Sequence, residues 1–240
     1  MILKVGILGA TGRMGQELTH LLAPGFECGK DLLELSDVVA SSEHSITHIE
    51  GIPVRSIQGP PREPVHVWID FSRPEATLSF LENSSGPIVI GTTGFTASQM
   101  DKISQFSKKH PVFYASNTSP GMNLMQLMLE KAAPAARLNY EVLASEIHHR
   151  GKKDSPSGTM KTLLSLLTEQ GHRNIQVQCA RVADEKGTHT ISFFSDDEEL
   201  TISHRVNHRR VFAKGALLAA HFIAQVKEPG LYNFKDVEQL

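Results

Sequence analysis

Apolar residues in the first half of the chain form short runs, separated by stretches in which they recur at helical spacing. The runs have the length of buried strands and cover residues 2–8, 37–43, 65–71, 87–90 and 112–115. The stretches of helical spacing cover residues 14–22, 74–82 and 100–106. Strands that alternate with helices predict an α/β fold with a doubly wound parallel sheet.

The second half of the chain has a different pattern. Residues 122–133 are apolar nearly all round, which predicts a buried helix whose methionines belong to the core. Further helices are predicted at 157–169 and 212–223, and strands at 140–147, 175–182, 189–195 and 199–206. Strands that predominate after a regular βα half are typical of a separate α+β domain with a mostly open sheet.

A glycine-rich turn follows the first predicted strand directly. It reads Gly9-Ala10-Thr11-Gly12-Arg13-Met14-Gly15 and leads into the first helical stretch. Because such glycines let a pyrophosphate approach the backbone at a helix start, the context predicts a Rossmann-like dinucleotide site. The spacing is G-x-x-G-x-x-G rather than G-x-G-x-x-G, and a plain tight turn is the alternative.

Polar turns also follow three later strands, at Asp70–Ser72, Gly91–Thr93 and Ala115–Thr118. Ligands of parallel sheets bind beyond the carboxyl ends of the strands, so we expect these turns to face the same ligand as the glycine turn. Ser72 and Glu75 have the spacing of a capping box, which predicts that Ser72 caps the helix over 74–82.

An acidic residue at the end of the second strand would bind the adenosine ribose, usually about 20 residues beyond the glycines. Glu43 ends the run at 37–43 but is somewhat farther from the glycines than that. Glu34 is at a better distance but within a leucine-rich pattern. We favour Glu43, with Glu34 as the alternative.

Residues 146–159 join a predicted strand to a predicted helix and contain two adjacent histidines and several cations. Ser155 is a suitable N-cap and Pro156 suits the first helical position. Ser157, Gly158 and Thr159 would then lie in the first turn, where free backbone N–H groups attract anions. The segment therefore indicates a site for a carboxylate or a phosphate.

Two other interpretations of this segment stay open. It could be a solvated basic turn, since charge runs are usually exposed. A metal site formed by His148, His149 and Asp154 is less favoured, because adjacent residues at a strand end point in opposite directions. We expect no metal.

Composition narrows the classes of function. The 240 residues carry a net charge of −2, which gives no reason to expect nucleic-acid or membrane partners. Cys28 and Cys179 lie far apart and outside any C-x-x-C motif, which fits a reducing compartment. Without a visible signal peptide or a membrane-length apolar run, we expect a cytoplasmic protein.

Residues 146–159 match the pattern E-x-H-H-x-x-K-x-D-x-P-S-G-T, which resembles the signature of the dihydrodipicolinate reductase family. Four turns resemble the family's cofactor contacts: G-A-x-G-R-M-G at 9–15, I-D-F-S-x-P at 69–74, G-T-T-G at 91–94 and A-x-N at 115–117. The chain departs from the family at Thr118, where an aromatic residue is usual. It also departs in a longer connection around 25–34 and a shorter one over 181–187.

The resemblance implies reduction of 4-hydroxy-tetrahydrodipicolinate, or dihydrodipicolinate, to tetrahydrodipicolinate by NADH and/or NADPH in the diaminopimelate route to lysine. It implies a dinucleotide-binding domain of residues 1–118 and 210–240, and a substrate domain of residues 119–209 whose sheet forms a homotetramer. Another amino-acid-pathway dehydrogenase and a non-catalytic NAD(H) sensor are the alternatives.

The resemblance also implies roles for individual residues. His148 would be the general acid, because imidazole titrates near working pH. Lys152 would assist it. A small cyclic dicarboxylate would contact His149, Lys152, Ser157, Gly158 and Thr159. The expected cofactor contacts are Gly9, Ala10, Thr11, Gly12, Arg13, Met14, Glu43, His44, Phe71, Gly91, Thr92, Thr93, Ala115, Ser116, Asn117 and Thr118.

Overall fold

Contacts within the chain separate it into two units, Met1–Ser119 with Arg210–Leu240, and Pro120–Arg209. The computed structural model describes residues 1–40, 46–59, 61, 63–138 and 140–237. Glu43 and His44, expected to contact the cofactor, lie outside the described residues. Elements are numbered along the chain.

The first unit is built on a sheet of eight strands with a separate small hairpin. Its strands are β1 (Ile2–Leu8), β2 (Phe26–Cys28), β3 (Asp31–Ala40), β4 (His48–Ile49), β5 (Ile52–Pro53), β6 (Arg55–Ser56), β7 (Val67–Asp70), β8 (Ile88–Ile90), β9 (Pro111–Tyr114) and β14 (Gly230–Tyr232). Its helices are α1 (Arg13–Leu22), α2 (Pro74–Asn83), α3 (Ala97–Ser107) and α7 (Arg210–Ile223), followed by a 3-10 turn over Phe234–Val237.

The order of the main sheet is β14-β9-β8-β7-β1-β3-β2, with β6 beside β3. All pairings are parallel except that of β2 with β3. Alternate strand residues point to opposite faces. Val5, Ile7 and Ile69 pack with α1 and α7 on one face, whereas Trp68 and Ile90 pack with α2 and α3 on the other. The doubly wound parallel sheet is therefore confirmed.

The second strand begins earlier than predicted. The sequence pattern favoured residues 37–43, but β3 covers Asp31–Ala40 and forms a hairpin with β2. The leucine-rich stretch around Glu34 belongs to this strand, because Leu33 is buried in the core and its neighbours pair with β1. Glu34 lies in mid-strand and its carboxylate accepts a 2.7 Å bond from Lys4 Nζ, so it is not at the strand's carboxyl end.

The predicted capping box at Ser72 is wrong. Arg73 is the N-cap of α2 and makes no side-chain cap. Ser72 Oγ instead donates to Asp70 Oδ1 at 2.5 Å, because the buried carboxylate at the end of β7 needs donors. A capping box that was not predicted begins α3, where Thr96 and Gln99 satisfy each other's backbone N–H groups.

The second unit has a four-stranded sheet in the order β11-β10-β12-β13. Its strands are β10 (Glu141–His148), β11 (Gln176–Arg181), β12 (Thr188–Phe194) and β13 (Glu199–Arg205), and its helices are α4 (Pro120–Glu130), α5 (Ala133–Arg137) and α6 (Gly158–Glu169). Met125, Leu163 and Phe193 belong to a core between the sheet and helices α4 and α6. The other face carries paired hydroxyls such as Ser192 and Thr201.

Helix α4 is less buried than its composition predicts. Met122, Met125 and Leu129 are buried, but Leu124 and Met128 are 58% and 49% exposed. The prediction that its methionines all belong to the core is therefore wrong for Met128, because only one side of α4 faces the sheet. Short helix α5 was not predicted. Within the described part of the chain, no helix has the length and apolarity needed to span a membrane.

Candidate active site

The glycine turn after β1 leaves its backbone open to a ligand. Gly9 has φ +84°, and a Cβ there would lie 2.6 Å from the carbonyl oxygen of Phe71, so the position requires glycine. The N–H groups of Gly9 and Ala10 donate to Val39 O at 2.9 and 3.1 Å, which fixes the turn against β3. Gly12 is the N-cap of α1 and has no side chain to block the helix start.

The turns after β7 and β8 meet beside this glycine turn. The Phe71 ring occupies the space that a side chain at Gly91 would need, at 2.3 Å from a Cβ placed there. The Ser72 N–H donates to Thr92 Oγ1 at 2.8 Å and to Asp70 Oδ1 at 2.9 Å. Burial raises the pKa of Asp70, although hydrogen bonds from Ser72 and Thr77 oppose this effect. Two strand ends are thus tied together by side chains.

A cavity of about 600 Å³ opens at these strand ends. Its lining includes Gly9, Thr11, Gly12, Phe71 and Arg73, together with residues 56–58. The volume, the bare glycine backbone and the helix start fit a dinucleotide. The sequence analysis missed residues 56–58, because their position depends on β6, and a two-residue strand gives no usable periodicity.

The other expected cofactor residues differ in their surroundings. Met14 packs against the core beside α7, and Arg13 is exposed. Thr93 and Ser116 are exposed after β8 and β9. Asn117 accepts a 2.9 Å bond from the Ser119 N–H. Ala115 packs against the core. Thr118 is buried, and its hydroxyl donates to Phe212 O at 2.8 Å, so it supports α7.

Helix α6 begins two residues later than predicted. Its N-cap is Ser157, whose Oγ accepts from the Met160 N–H at 3.1 Å, and the proposed cap at Ser155 is wrong. Pro156 favoured Ser155 as the cap in the sequence, and a tertiary contact selects Ser157 instead. The Ser157 N–H donates to both carboxylate oxygens of Glu146, at 3.1 and 3.2 Å.

The start of α6 has the features of an anion site, and the Asp154 carboxylate lies beside it. Gly158 is exposed, and beyond its chain neighbours and the backbone of its own helix no described atom lies within 4 Å of the position that a Cβ would take there. Thr159 follows in the first turn and is half-buried. Together with Lys152, the Gly158 N–H contributes to lowering the pKa of the Asp154 carboxyl, and the partial positive charge of the helix end likewise favours a carboxylate.

His148 lies on the core face of β10 and is 7% exposed. Its Nδ1 is 3.7 Å from Glu146 Oε2, and a Cβ at Gly187 would lie 3.2 Å from its Nε2. Burial lowers the pKa of His148, the charge of Glu146 raises it, and the charges of Lys152 and Arg181 lower it. A titratable imidazole is therefore placed within a cluster of charges.

His189 is a neighbour that the sequence analysis missed. It is opposite Glu146 in the pairing of β12 with β10, with Nε2 3.3 Å from Ser157 Oγ and 3.7 Å from Glu146 Oε2. Its ring centroid is 5.0 Å from that of His148. Burial and the nearby His148 lower the pKa of His189 to about 4, so its imidazole is neutral at pH 7. Nothing in the sequence gave the register that pairs these strands.

The expected clamp residues lie in the loop before α6. Lys152 Nζ is 2.8 Å from Asp154 Oδ1, and this bond lowers the pKa of Asp154. His149 is half-buried, with Nδ1 3.4 Å from the position of a Cβ at Gly151. The structure therefore brings Lys152 near His148, and it places His149 beside the backbone of its own loop.

Among the described residues, the donor atoms of Glu146, His148 and His189 lie within 4.8 Å of one another. Both oxygens of Glu146 already accept the Ser157 N–H, and Arg181 Nη2 is 3.0 Å from Oε1. A guanidinium at this distance repels a cation, and the charge of Glu146 is already paired with that of Arg181. The cluster fits a hydrogen-bonded ion pair rather than a metal site.

Two family descriptions match most of the chain. "Dihydrodipicolinate reductase, N-terminus" matches residues 3–118, and "Dihydrodipicolinate reductase, C-terminus" matches residues 121–237. The two matches meet near the boundary between the two structural units.

Curated proteins named 4-hydroxy-tetrahydrodipicolinate reductase are similar over almost their whole length. The protein of Wolinella succinogenes is 35% identical over 257 residues, covering 97% of this chain and 98% of its own. That of Bdellovibrio bacteriovorus is 34% identical over 239 residues, covering 98% and 96%.

A solved structure described as dipicolinate-bound dihydrodipicolinate reductase from Paenisporosarcina sp. TG-14 has the same fold. The TM-score is 0.73 at 22% identity, and the match covers 97% of this chain and 98% of that one.

Proposed function

The chain belongs to the dihydrodipicolinate reductase family, and we propose that it performs the family's reaction with His148 as proton donor. Its activity is the NAD(P)H-dependent reduction of 4-hydroxy-tetrahydrodipicolinate in the diaminopimelate route to lysine. One observation supports this site most strongly. The Glu146 carboxylate accepts the Ser157 N–H at the start of α6 at 3.1 Å, and it lies 3.7 Å from His148 Nδ1.

The first unit would hold the cofactor, NADH or NADPH, which supplies a hydride when bound. The Gly9–Gly12 turn and the start of α1 would receive the pyrophosphate, because their backbone is unshielded and the helix end is partly positive. Phe71, Gly91 and Thr92 would border the same crevice. The remaining cofactor contacts stay predictions, and Glu43 and His44 are among them.

The second unit would hold the substrate. One substrate carboxylate would take the place of the Asp154 carboxylate at the Gly158 N–H, beside Thr159, with Lys152 supplying a positive charge. Lys152 would then exchange its bond to Asp154 for one to the substrate. The dipicolinate in the related Paenisporosarcina protein supports a planar dicarboxylate as ligand. His149 would contact the substrate only through a different side-chain position from the one beside Gly151.

His148 would donate a proton to the ring that has accepted the hydride. Its burial limits exchange with water, and the Glu146 carboxylate on the Nδ1 side stabilises the imidazolium form that a proton donor requires. We also propose that the open, hydroxyl-lined face of the second sheet is a contact between subunits in a homotetramer.

Replacement of His148 tests this assignment. His148→Gln should lower kcat on the order of 10²–10⁴-fold and leave the affinity for NADH unchanged, because only the proton donor is lost. The measurement is steady-state oxidation of NADH together with fluorescence titration of NADH. His208→Gln is the matched control, since His208 is exposed in the same unit. A parental kcat in His148→Gln would remove His148 from the mechanism.

A further inference from the structure

The carboxylate of Glu146 is the most enclosed charge of the second unit's site, with a fully buried side chain. It accepts the Ser157 N–H at 3.1 and 3.2 Å and Arg181 Nη2 at 3.0 Å. It also lies 3.7 Å from His148 Nδ1 and from His189 Nε2. Burying a charge is costly unless it is paired, so these partners explain how it persists.

Arg181 extends the cluster to the loop before α6. Besides Glu146, its guanidinium donates to Asp154 O at 2.6 Å, Lys152 O at 3.4 Å and Ala180 O at 2.8 Å. Glu146 therefore fixes the start of α6 directly, through Ser157, and the backbone on either side of Lys153 indirectly, through Arg181.

We infer that Glu146 is a positioning residue that fixes the start of α6 relative to His148 and keeps a negative charge beside His148 Nδ1. The inference rests on the proposed role of His148 as proton donor. If it is correct, the charge of Glu146 raises the pKa of His148 and the charge of Arg181 lowers it. A purely structural role of Glu146 would not predict shifts of opposite sign.

The charges around His148 determine the expected effects. Glu146 on β10 and Asp154 in the following loop are the negative groups, whereas Lys152 in that loop and Arg181 on β11 are positive. From β12, His189 is neutral at pH 7, since its pKa is lowered to about 4 by burial and by His148. Burial alone would raise the pKa of Glu146, but bonds from Ser157 and Arg181 and the charge of His148 lower it, so it is ionised.

Because burial lowers the pKa of His148 below its usual value of 6.5, the experiment measures kcat/KM for the substrate between about pH 4.5 and 8. It compares the alkaline limb, along which activity falls as the donor deprotonates. Glu146→Gln keeps the size of the side chain but removes the negative charge, so the limb should move to lower pH by about one unit. Arg181→Gln removes a positive charge, so the limb should move to higher pH. Glu146→Asp keeps the charge, so its limb should stay close to the parental one.

Glu169→Gln is the matched control, because Glu169 ends α6 and is exposed, with a bond to Ser165. The alkaline limb of kcat/KM in Glu169→Gln should coincide with that of the parent. Arg181 is only partly buried, so Arg181→Gln still tests whether these charges set the pKa of His148 if Glu146→Gln does not fold.

Limbs that stay unmoved, or that move in the same direction in Glu146→Gln and Arg181→Gln, would overturn the inference. Such a result combined with lost activity in His148→Gln would leave the proposed function intact. A parental kcat in His148→Gln would overturn both.

Discussion

At the scale of single residues, surroundings rather than residue type decide what a histidine can do. His148 and His189 face the same carboxylate, yet only His189 is shifted to a pKa of about 4. Both are deeply buried, and His189 is additionally repelled by His148. Burial lowers the pKa of both imidazoles, and the charge of His148 lowers that of His189 further.

His189 should make the protein sensitive to acid. Its pKa in the folded state lies below the value of about 6.5 in an unfolded chain, so the unfolded state binds the extra proton. The stabilisation is complete above about pH 6.5 and is lost as the pH falls towards 4. Between pH 7 and 5 the preferential protonation of His189 in the unfolded state lowers the free energy of unfolding by about 2 kcal/mol.

Urea unfolding of the parent and of His189→Gln at both pH values measures this effect. The loss between pH 7 and 5 should be about 2 kcal/mol smaller in the variant. His208→Gln, at an exposed position, should behave like the parent. An identical loss in His189→Gln and in the parent would show that His189 titrates normally in the folded protein.

At the scale of elements, a buried ion pair joins β3 to β6. Arg55 Nε is 2.6 Å from Asp37 Oδ2, with side-chain exposures of 6% and 1%. Arg55 Nη1 also donates to Ser56 O at 3.1 Å and Gly59 O at 2.5 Å. The pair therefore holds the residues 56–58 that line the cofactor crevice.

Arg55→Met should destabilise the protein by about 3–5 kcal/mol, because it leaves the Asp37 carboxylate buried and unpaired. The double variant Arg55→Met with Asp37→Leu should be more stable than the single one. Lys4→Met, which breaks the half-exposed pair with Glu34, should cost about 1 kcal/mol or less. Urea unfolding measures all three, and a loss for Arg55→Met as small as that for Lys4→Met would contradict this account.

Elements with strong periodicity could be predicted from the sequence, and elements fixed by tertiary contacts could not. β1, the glycine turn and α1 form one local pattern, and the structure has them at Ile2–Leu8 and Arg13–Leu22. The early start of β3 depends on pairing with β1 and β2. The choice of Ser157 over Ser155 as N-cap depends on Glu146, eleven residues away.

In the candidate site, too, local patterns could be predicted from the sequence and tertiary contacts could not. Strand alternation places Glu146 and His148 on one face of β10, which extends one residue beyond the predicted strand at 140–147. Their proximity is a local consequence of this strand, although it was not predicted. His189 and Arg181 arrive from β12 and β11, whose registers depend on the whole sheet. Gly187 ends the connection between β11 and β12, and a Cβ there would lie 3.2 Å from His148 Nε2, so this connection also borders the site.

At the scale of the whole molecule, each unit has its own core and its own ligand-binding features. The first unit has the open glycine turn and a cavity of about 600 Å³, and the second has the α6 start with its buried charge cluster. Family membership follows from similarity along nearly the full chain, and the division of labour between the units is the proposal that the geometry supports.

The activity itself is tested most directly by following NADH absorbance after addition of enzymatically generated 4-hydroxy-tetrahydrodipicolinate. The account predicts rapid oxidation of NADH by the parent, competitive inhibition by pyridine-2,6-dicarboxylate, and a loss of turnover on the order of 10²–10⁴-fold in His148→Gln. Repeating the assay with NADPH covers either choice of cofactor. Binding of NADH or NADPH without turnover of this substrate would contradict the account and favour a protein that senses the nucleotide.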